Sequence, residues 1–242
     1  MTLPVRVFPT PDALAPTVAR EIAARLRQLV ERRREAVFVP SSGRTPEPVY
    51  RALRDDHANS LDWNRVHILQ MDEYADPDLA EARTFRAFLQ RQLLRPLKVG
   101  RFTGLRTAGE RADAIRVAER IDLVLHGIGC NGHIGFNEPG APCGDVLDSV
   151  MLTPQTMRSN FGNRMEDHPR PIGYTLGLET LRKAGHSVLM ATGAHKRAAV
   201  GRLLGGATID LCPAAILRDA PSAEVVLDRA AAGQAYRASA AA

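Results

Sequence analysis

The segment from residue 128 to residue 140 carries the side chains best suited to proton chemistry. It places an imidazole, His133, five residues before a carboxylate, Glu138, among four glycines. A histidine and a carboxylate can exchange a proton with a bound molecule, and glycine lets the backbone approach that molecule closely. Because an apolar run at residues 121–125 precedes it, the segment predicts a ligand site at the carboxyl end of a sheet. A hydrogen-bonded loop histidine and a surface carboxylate are the alternative.

Two more reactive groups follow predicted strands. Asp72 comes directly after an apolar run at residues 66–70, where partial burial raises the pKa of a carboxyl group toward that of a useful base. Its alternative role is to cap the turn that follows. Lys196 begins a late helix, where its ammonium group either lies beside the same crevice or is simply solvated.

Residues 41–45 predict an anion site. Hydroxyl groups, a glycine and Arg44 precede a helix, whose free amide donors and positive dipole end attract an anion. The Arg44 guanidinium adds a charged fork for a phosphate or carboxylate. The same pattern fits an ordinary helix start, in which Thr45 caps the helix and Pro46 occupies its first position.

The rest of the chain alternates predicted strands with predicted helices. This pattern indicates an α/β fold with a doubly wound, mainly parallel sheet and helices on both faces. The predicted strands are residues 5–8, 36–39, 66–70, 121–125, 187–191, 214–217 and 225–227. The predicted helices are residues 11–29, 46–53, 84–94, 178–183 and 196–204. With 242 residues and no visible linker or repeat, the chain is predicted to form a single domain over residues 1–242, with a poorly ordered alanine-rich tail from about residue 230.

Composition and missing motifs exclude other classes of function. The net charge of +5 comes from scattered arginines without a helix-turn-helix, RNA-binding or zinc motif, so we expect no nucleic-acid partner. No apolar run approaches the length of a membrane span and the chain opens without a signal peptide, so we expect no membrane partner and a cytoplasmic location. His133 and Glu138 lack the HExxH spacing, which predicts no metal. Neither GxGxxG nor GxSxG is present, and Cys130 is interpreted as a small buried filler.

Four segments together resemble the glucosamine-6-phosphate deaminase/isomerase family. They are MDEY at residues 71–74, GIGCNGHIGFNEPG at 127–140, TGAHK at 192–196 and, as a phosphate loop, SGRTP at 42–46. The order and spacing hold from about residue 5 to residue 227. The resemblance implies a Rossmann-like fold and conversion of an amino-sugar 6-phosphate to a ketose 6-phosphate plus ammonia. It implies neither a metal nor a nicotinamide cofactor, and a small-molecule sugar phosphate as the partner.

The resemblance also implies a role for each matching residue. His133 would assist ring opening, with Glu138 and Asn131 orienting it or sharing its proton. Asp72 would move a proton between C2 and C1 of the opened sugar. The residues that would hold the phosphate are Ser42, Gly43, Arg44, Thr45 and Lys196.

This chain departs from the family pattern at several positions. Asn131 stands where many members have Asp, and Arg44 stands where a second glycine is usual. Residues 156–162 lack an arginine where the family often has a phosphate ligand, so we hypothesise that Arg44, Arg158 or Arg164 replaces it. Residues 141–142 and 148–151 differ from the basic and hydroxyl residues of allosteric members, so we expect no activation by an N-acetylamino-sugar phosphate.

Three other interpretations stay open. Residues 170–178 are similar to the galactosamine-6-phosphate deaminase branch, and the sequence does not separate the C4 epimers. A 6-phosphogluconolactonase shares the Gly-His of the loop but typically continues with Ser-Leu-Phe-Pro, unlike residues 136–139 here. A non-catalytic sugar-phosphate sensor would carry an added DNA-binding domain, for which residues 1–4 leave no room. The sequence is equally compatible with a monomer and with a homo-oligomer.

Overall fold

Most apolar runs of the sequence become strands of one parallel sheet. The computed structural model describes residues 3–144, 148–162 and 170–233. In chain order the strands are β1 (Val5–Phe8), β2 (Ala36–Pro40), β3 (Val66–Leu69), β4 (Asp72–Tyr74), β5 (Arg101–Thr103), β6 (Leu123–Gly127), β7 (Asp148–Met151), β8 (Ile172–Thr175), β9 (Ser187–Ala191) and β10 (Ala223–Asp228). Within the described ranges, seven of these strands pair in parallel in the order β1-β10-β9-β6-β2-β3-β5.

Helices connect the parallel strands. The α-helices are α1 (Pro11–Arg33), α2 (Glu47–His57), α3 (Phe85–Leu89), α4 (Ala108–Ala118), α5 (Pro154–Phe161), α6 (Leu178–Arg182), α7 (Arg197–Leu204) and α8 (Arg229–Ala232). A π-helical stretch, Gln90–Leu94, continues α3. Short 3₁₀ helices lie at Trp63–Arg65, Glu81–Arg83, Ala194–Lys196 and Pro213–Asp219.

Helix α1 shows how local sequence sets these elements. The Thr10 side chain accepts a hydrogen bond of 3.2 Å from the amide of Ala13, and Pro11 follows at the first helical position. Apolar residues recur at helical spacing and are buried along one side of the helix, as predicted. The helix ends where Arg34 adopts a left-handed conformation, with φ of 67°.

Both faces of the parallel sheet are buried, as the sequence predicts for a doubly wound fold. Side chains alternate along each strand, so Val37 and Val39 of β2 join one apolar cluster while Phe38 joins the other. Helices α1 and α2 cover the face that carries Phe38, and α6 and α7 cover the opposite face. The predicted α/β class with helices on both faces is therefore confirmed.

The sheet grows in opposite directions from the boundary between β2 and β6. Strands β3 and β5 extend it on the β2 side, and β9, β10 and β1 extend it on the β6 side. Open α/β folds bind ligands in the crevice beyond the carboxyl ends of strands at such a switch point. The amide of Ser41, just after β2, donates a hydrogen bond of 2.9 Å to the carbonyl of Leu125 in β6. Residues 41–45 and 128–140 therefore begin side by side at this crevice.

A second sheet was not predicted. Strands β4, β8 and β7 pair antiparallel in that order, with Asp72 opposite Thr175 and Tyr74 opposite Gly173. Asp72 is thus the first residue of a new strand and not part of a strand-end loop. Two adjacent carboxylates in a three-residue strand have low strand propensity, so no periodic signal marks it.

Two other sequence-based predictions were wrong in detail. Thr45 does not cap α2, because Pro46 is the N-cap residue and the helix has no side-chain cap. Residues 214–217 belong to the 3₁₀ helix Pro213–Asp219 and not to a strand, since a short buried apolar run does not by itself distinguish the two. Strand β5 and helix α4 were not predicted at all.

The predicted disordered tail is only partly covered by the structure. Residues 229–232 form α8. Asp228 caps this helix by accepting a hydrogen bond of 2.8 Å from the amide of Ala231. Residues 234–242, which make up most of the predicted tail, lie outside the described ranges. None of the helices in the described part of the chain combines the length and apolar character needed to span a membrane.

Candidate active site

A cleft with a volume of about 1390 Å³ opens at the carboxyl ends of the parallel strands. It lies where the sheet changes its direction of growth, and the sequence had predicted a ligand site at the carboxyl end of the sheet. All of the predicted site residues except Glu138 line it. Those lining residues are Ser42, Gly43, Arg44, Thr45, Asp72, Asn131, His133 and Lys196. The structure therefore brings together the residues of four separate segments of the chain.

The loop after β2 presents hydroxyl groups to this cleft. The Oγ atoms of Ser41 and Ser42 are buried and have no hydrogen-bond partner among the described residues. Gly43 has a φ of +107°, a conformation that favours glycine, and turns the chain toward α2. The hydroxyl of Tyr50, in α2, stabilises the loop by donating a 2.6 Å hydrogen bond to the carbonyl of Ser41. Buried hydroxyls without partners at a helix N-terminus suit an anionic ligand.

A group of basic side chains faces the same loop. Lys196 follows β9, and Arg44 and His195 lie within electrostatic range of it. Burial lowers the pKa of Lys196, and the positive charge of Arg44 lowers it further. The neighbouring Cys130, which shares a hydrogen bond with Lys196, acts in the opposite direction and raises this pKa. Burial and the charges of Lys196 and Arg44 also lower the pKa of His195. A bound anion would relieve this mutual repulsion.

Cys130 does not have the role that the sequence suggested. Its side chain is only half-buried and lines the cleft beside Lys196. The interpretation as a buried filler is therefore wrong, because the loop turns this residue toward the cleft and not into the core. Cys212, by contrast, is fully buried against Gly132.

Asp72 and Glu73 are adjacent in sequence and both buried, but they differ in their hydrogen bonds. Glu73 is fully buried and accepts hydrogen bonds from the amides of Tyr74, Phe85 and Arg86 and from the side chain of Gln70, at 2.8–3.1 Å. It thereby caps the N-terminus of α3. Asp72 is also buried, yet its Oδ1 atom has no partner among the described residues. Burial, helped by the nearby charge of Glu73, raises the pKa of Asp72 to about 8.

The loop after β6 folds tightly around His133. The amide of Gly129 donates a 2.9 Å hydrogen bond to the carbonyl of His133, and a Cβ atom at position 129 would lie only 2.3 Å from the imidazole ring. Gly135 has a φ of +55°, and its missing side chain leaves room for Thr175 of β8. The absence of a side chain at Gly129 therefore leaves the space that the imidazole occupies.

His133, Glu138 and Asn131 form one hydrogen-bonded unit. Nδ1 of His133 lies 3.5 Å from Oε2 of Glu138, and the same oxygen accepts a 2.6 Å hydrogen bond from Nδ2 of Asn131. Oδ1 of Asn131 in turn accepts from the backbone amide of His133 at 3.2 Å. Burial alone would raise the pKa of Glu138, but the interactions with His133, Thr156 and Asn131 lower it to about 2. Glu138 thus lies behind His133 as a permanent carboxylate.

Helix α5 supplies the wall of the cleft that sequence analysis missed. Thr156, Arg158, Asn160 and Phe161 of this helix line the cleft, and Nδ2 of Asn160 donates a 2.7 Å hydrogen bond to the hydroxyl of Tyr74. The signal for the helix was present in the sequence, since the Thr153 side chain caps it and a proline follows at the first position.

Two of the three arginines considered as phosphate ligands line the cleft. Arg44 and Arg158 both line the cleft, and only Arg44 acts electrostatically on Lys196. Arg164 lies outside the described residues. Arg83, which the sequence did not single out, also lines the cleft and lies over the ring of Phe161, 4.7 Å from its centroid. Within the described ranges, no group of three or more His, Cys, Asp or Glu side chains could hold a metal ion.

Sequence comparison identifies relatives over nearly the whole chain. The family model for glucosamine-6-phosphate isomerases/6-phosphogluconolactonase matches residues 9–227. A glucosamine-6-phosphate deaminase of Streptomyces avermitilis is 35% identical over 244 residues, which cover 95% of this chain and 92% of that protein.

Two solved structures illustrate the similarity of the fold. A monomeric glucosamine-6-phosphate deaminase is 25% identical, with a TM-score of 0.83 over 95% of this chain and 99% of that chain. A 6-phosphogluconolactonase of Shewanella baltica is 23% identical, with a TM-score of 0.73 over 95% of this chain and 98% of that chain. The second similarity concerns the fold alone.

Proposed function

The chain belongs to the glucosamine-6-phosphate isomerase/6-phosphogluconolactonase family, and we propose that it converts an amino-sugar 6-phosphate to a ketose 6-phosphate plus ammonia. The observation that supports this proposal best is the carboxyl group of Asp72, buried in the same cleft as His133. Its Oδ1 atom has no partner in the described structure, and its pKa is raised to about 8. Such a group is suited to accept a proton from carbon.

The phosphate group would bind at the loop after β2. Ser42, Gly43 and Thr45 offer hydroxyl and amide donors there, and Arg44 and Lys196 offer positive charge. This loop lines the same cleft as Asp72, the first residue of β4. Anchoring the substrate by its phosphate would hold the sugar carbons over the two proton-transfer groups.

His133 would open the sugar ring. Its Nδ1 atom is held against Glu138, so Nε2 is the nitrogen available to a substrate. Transfer of a proton through Nε2 between the C1 hydroxyl and the ring oxygen would give the open aldehyde. The permanent carboxylate of Glu138 stabilises the imidazolium that forms on the way.

Asp72 would then isomerise the open sugar. As a carboxylate it would take the proton from C2 and return it to C1, while one proton passes from the C2 ammonium to the C1 carbonyl oxygen. This step leaves a hydroxyl group at C1 and an iminium at C2. Addition of one water molecule to the imine carbon and loss of ammonia would leave the ketose 6-phosphate. The substrate amine enters as an ammonium ion next to C2, and its charge would lower the pKa of Asp72 and favour the carboxylate.

Assays of three substrates side by side test the proposal. Ammonia release is measured with glucosamine-6-phosphate and with galactosamine-6-phosphate, and ring hydrolysis is measured with 6-phosphogluconolactone. Ammonia from either amino sugar supports the proposal and identifies the preferred C4 epimer. Lactone hydrolysis without ammonia release would support the lactonase, and tight binding without turnover would support a sugar-phosphate sensor.

A further inference from the structure

The hydroxyl group of Thr156 contacts the imidazole of His133. It lies in the first turns of α5, its side chain is buried, and Oγ1 is 3.3 Å from Nδ1 of His133. Neither the family motifs nor the predicted site includes this residue. Nδ1 therefore has two neighbours with different hydrogen-bonding abilities, the hydroxyl of Thr156 and the carboxylate of Glu138.

A second threonine ties this contact to the carboxylate. Oγ1 of Thr153 lies 3.1 Å from Oγ1 of Thr156 and 3.3 Å from Oε1 of Glu138, and the amide of Thr153 donates to the same oxygen at 3.4 Å. The amide of Thr156 donates to Oγ1 of Thr153 at 3.2 Å. The start of α5 is thus joined to both members of the acid–base pair.

The hydroxyl of Thr156 can satisfy the ring in both of its neutral forms. A carboxylate only accepts hydrogen bonds, whereas a hydroxyl group donates one and also accepts. When Nδ1 carries no proton, Thr156 can donate to it. When Nδ1 carries a proton and donates it toward Glu138, the Thr156 hydroxyl can turn toward Oγ1 of Thr153 or toward the carboxylate.

We infer that Thr156 is a positioning residue for His133, whose hydroxyl rotates with the proton on Nδ1 and keeps the ring in one orientation through the reaction. The inference rests on the proposed function, because it concerns the histidine to which that function assigns ring opening. Without this hydroxyl, the acceptor Glu138 would be the main partner of Nδ1 and would hold the proton there. The neutral form with the proton on Nε2 would then be less populated, and the ring would lose one of the two contacts that fix its orientation.

Nitrogen-15 NMR of labelled histidine tests the inference without any turnover. The two ring-nitrogen signals of His133, assigned with His133→Gln, report how the proton is shared between Nδ1 and Nε2. We expect Thr156→Val to move the Nδ1 signal toward the protonated form and Thr156→Ser to match the wild type. If Thr156→Val does not fold, as judged by thermal unfolding, Thr156→Ala takes its place. Identical spectra for the wild type and the variant without the hydroxyl would overturn the inference.

Kinetics separate positioning from binding once a turned-over substrate is known. Thr156→Val should lower kcat about 10- to 100-fold with little change in KM, because misplacement of a catalytic group acts on the chemical step. Thr156→Ser should restore most of kcat. A rise in KM at unchanged kcat, or no rescue by serine, would contradict the inference. Absence of turnover in the wild-type protein would contradict the proposed function alone, since the NMR comparison still holds.

Discussion

Nδ2 of Asn131 donates a 2.6 Å hydrogen bond to Oε2 of Glu138, the same oxygen that lies 3.5 Å from Nδ1 of His133. The side-chain amide of Asn131 therefore acts on Glu138, the carboxylate beside the His133 imidazole. At position 131 this chain has a neutral donor that fixes a single buried carboxylate. The negative charge that stabilises a protonated His133 comes from Glu138, and Asn131 holds that charge in place.

Asn131→Leu should destabilise the protein at neutral pH. The substitution removes a charge-assisted hydrogen bond from a buried carboxylate, a loss of about 1.5–3 kcal/mol in the free energy of unfolding. Because the low pKa of Glu138 gives stability that is present at neutral pH and lost as the pH falls toward 2, the deficit should shrink in acid. Urea unfolding at pH 7 and near pH 2 measures it. An equal deficit at both values would contradict the assignment of Asn131 to Glu138.

Asp72→Asn should stabilise the protein at high pH. The pKa of Asp72 is raised from 3.8 to about 8, so the folded state holds its proton where the unfolded state has lost it. Wild-type stability from this group is therefore full below about pH 4 and falls as the pH rises toward 8. The amide does not ionise, and the variant should have a higher urea midpoint than the wild type at pH 9 but not at pH 4.

Glu73→Gln is the matched control for that measurement. Its carboxylate accepts four hydrogen bonds and caps α3, so its neutralisation should cost about 1.5–3 kcal/mol at neutral pH. A gain in stability for Asp72→Asn and a loss for Glu73→Gln would distinguish a carboxyl group used for chemistry from a carboxylate used for structure. Destabilisation by both substitutions at pH 9 would contradict the environment assigned to Asp72.

The value of kcat/KM for the amino-sugar phosphate should rise with pH to a plateau, with an apparent pKa near 8. This parameter reports the free enzyme, in which Asp72 must lose its proton to act as the base. The corresponding rise in kcat should occur at lower pH, because the ammonium group of the bound substrate favours the carboxylate form of Asp72. A profile of kcat/KM that is flat between pH 6 and pH 9 would contradict the role of Asp72.

Arg44→Ala should raise the KM for the phosphorylated sugar by about tenfold or more and affect kcat less, because phosphate binding is shared by the ground state and the transition state. Arg51→Ala removes an exposed arginine from the following turns of α2 and is the control for a change in overall charge. Unchanged KM in Arg44→Ala would contradict this role for Arg44 and leave Arg83, Arg158 and Arg164 as the candidates for the phosphate contact.

The sequence predicts those parts of the fold that depend on local signals. Thr10 and Pro11 mark the start of α1, and the apolar runs at β2, β6 and β9 mark buried strands. Because parallel strands place their carboxyl ends along one edge, the residues after those strands could be predicted to meet without knowledge of the sheet order. The cleft formed by residues 41–45, His133 and Lys196 follows from this rule.

The parts that could not be predicted depend on contacts between distant segments. The short strand β4 exists because β8 pairs with it, and neither has a periodic pattern of its own. The different environments of Asp72 and Glu73 depend on the amides of α3, twelve and thirteen residues after Glu73. The contact of Thr156 with His133 spans 23 residues. Such relationships are set by tertiary packing, which outweighs local propensity.

Ammonia release from glucosamine-6-phosphate and galactosamine-6-phosphate by the wild-type protein and by Asp72→Asn tests the account most directly. The wild type should release ammonia from at least one of the two, and the variant should lose about 100- to 10,000-fold of that rate, the usual contribution of a general base, while it still binds the sugar phosphate. No ammonia release from the wild type, or a rate that Asp72→Asn leaves unchanged, would contradict the account.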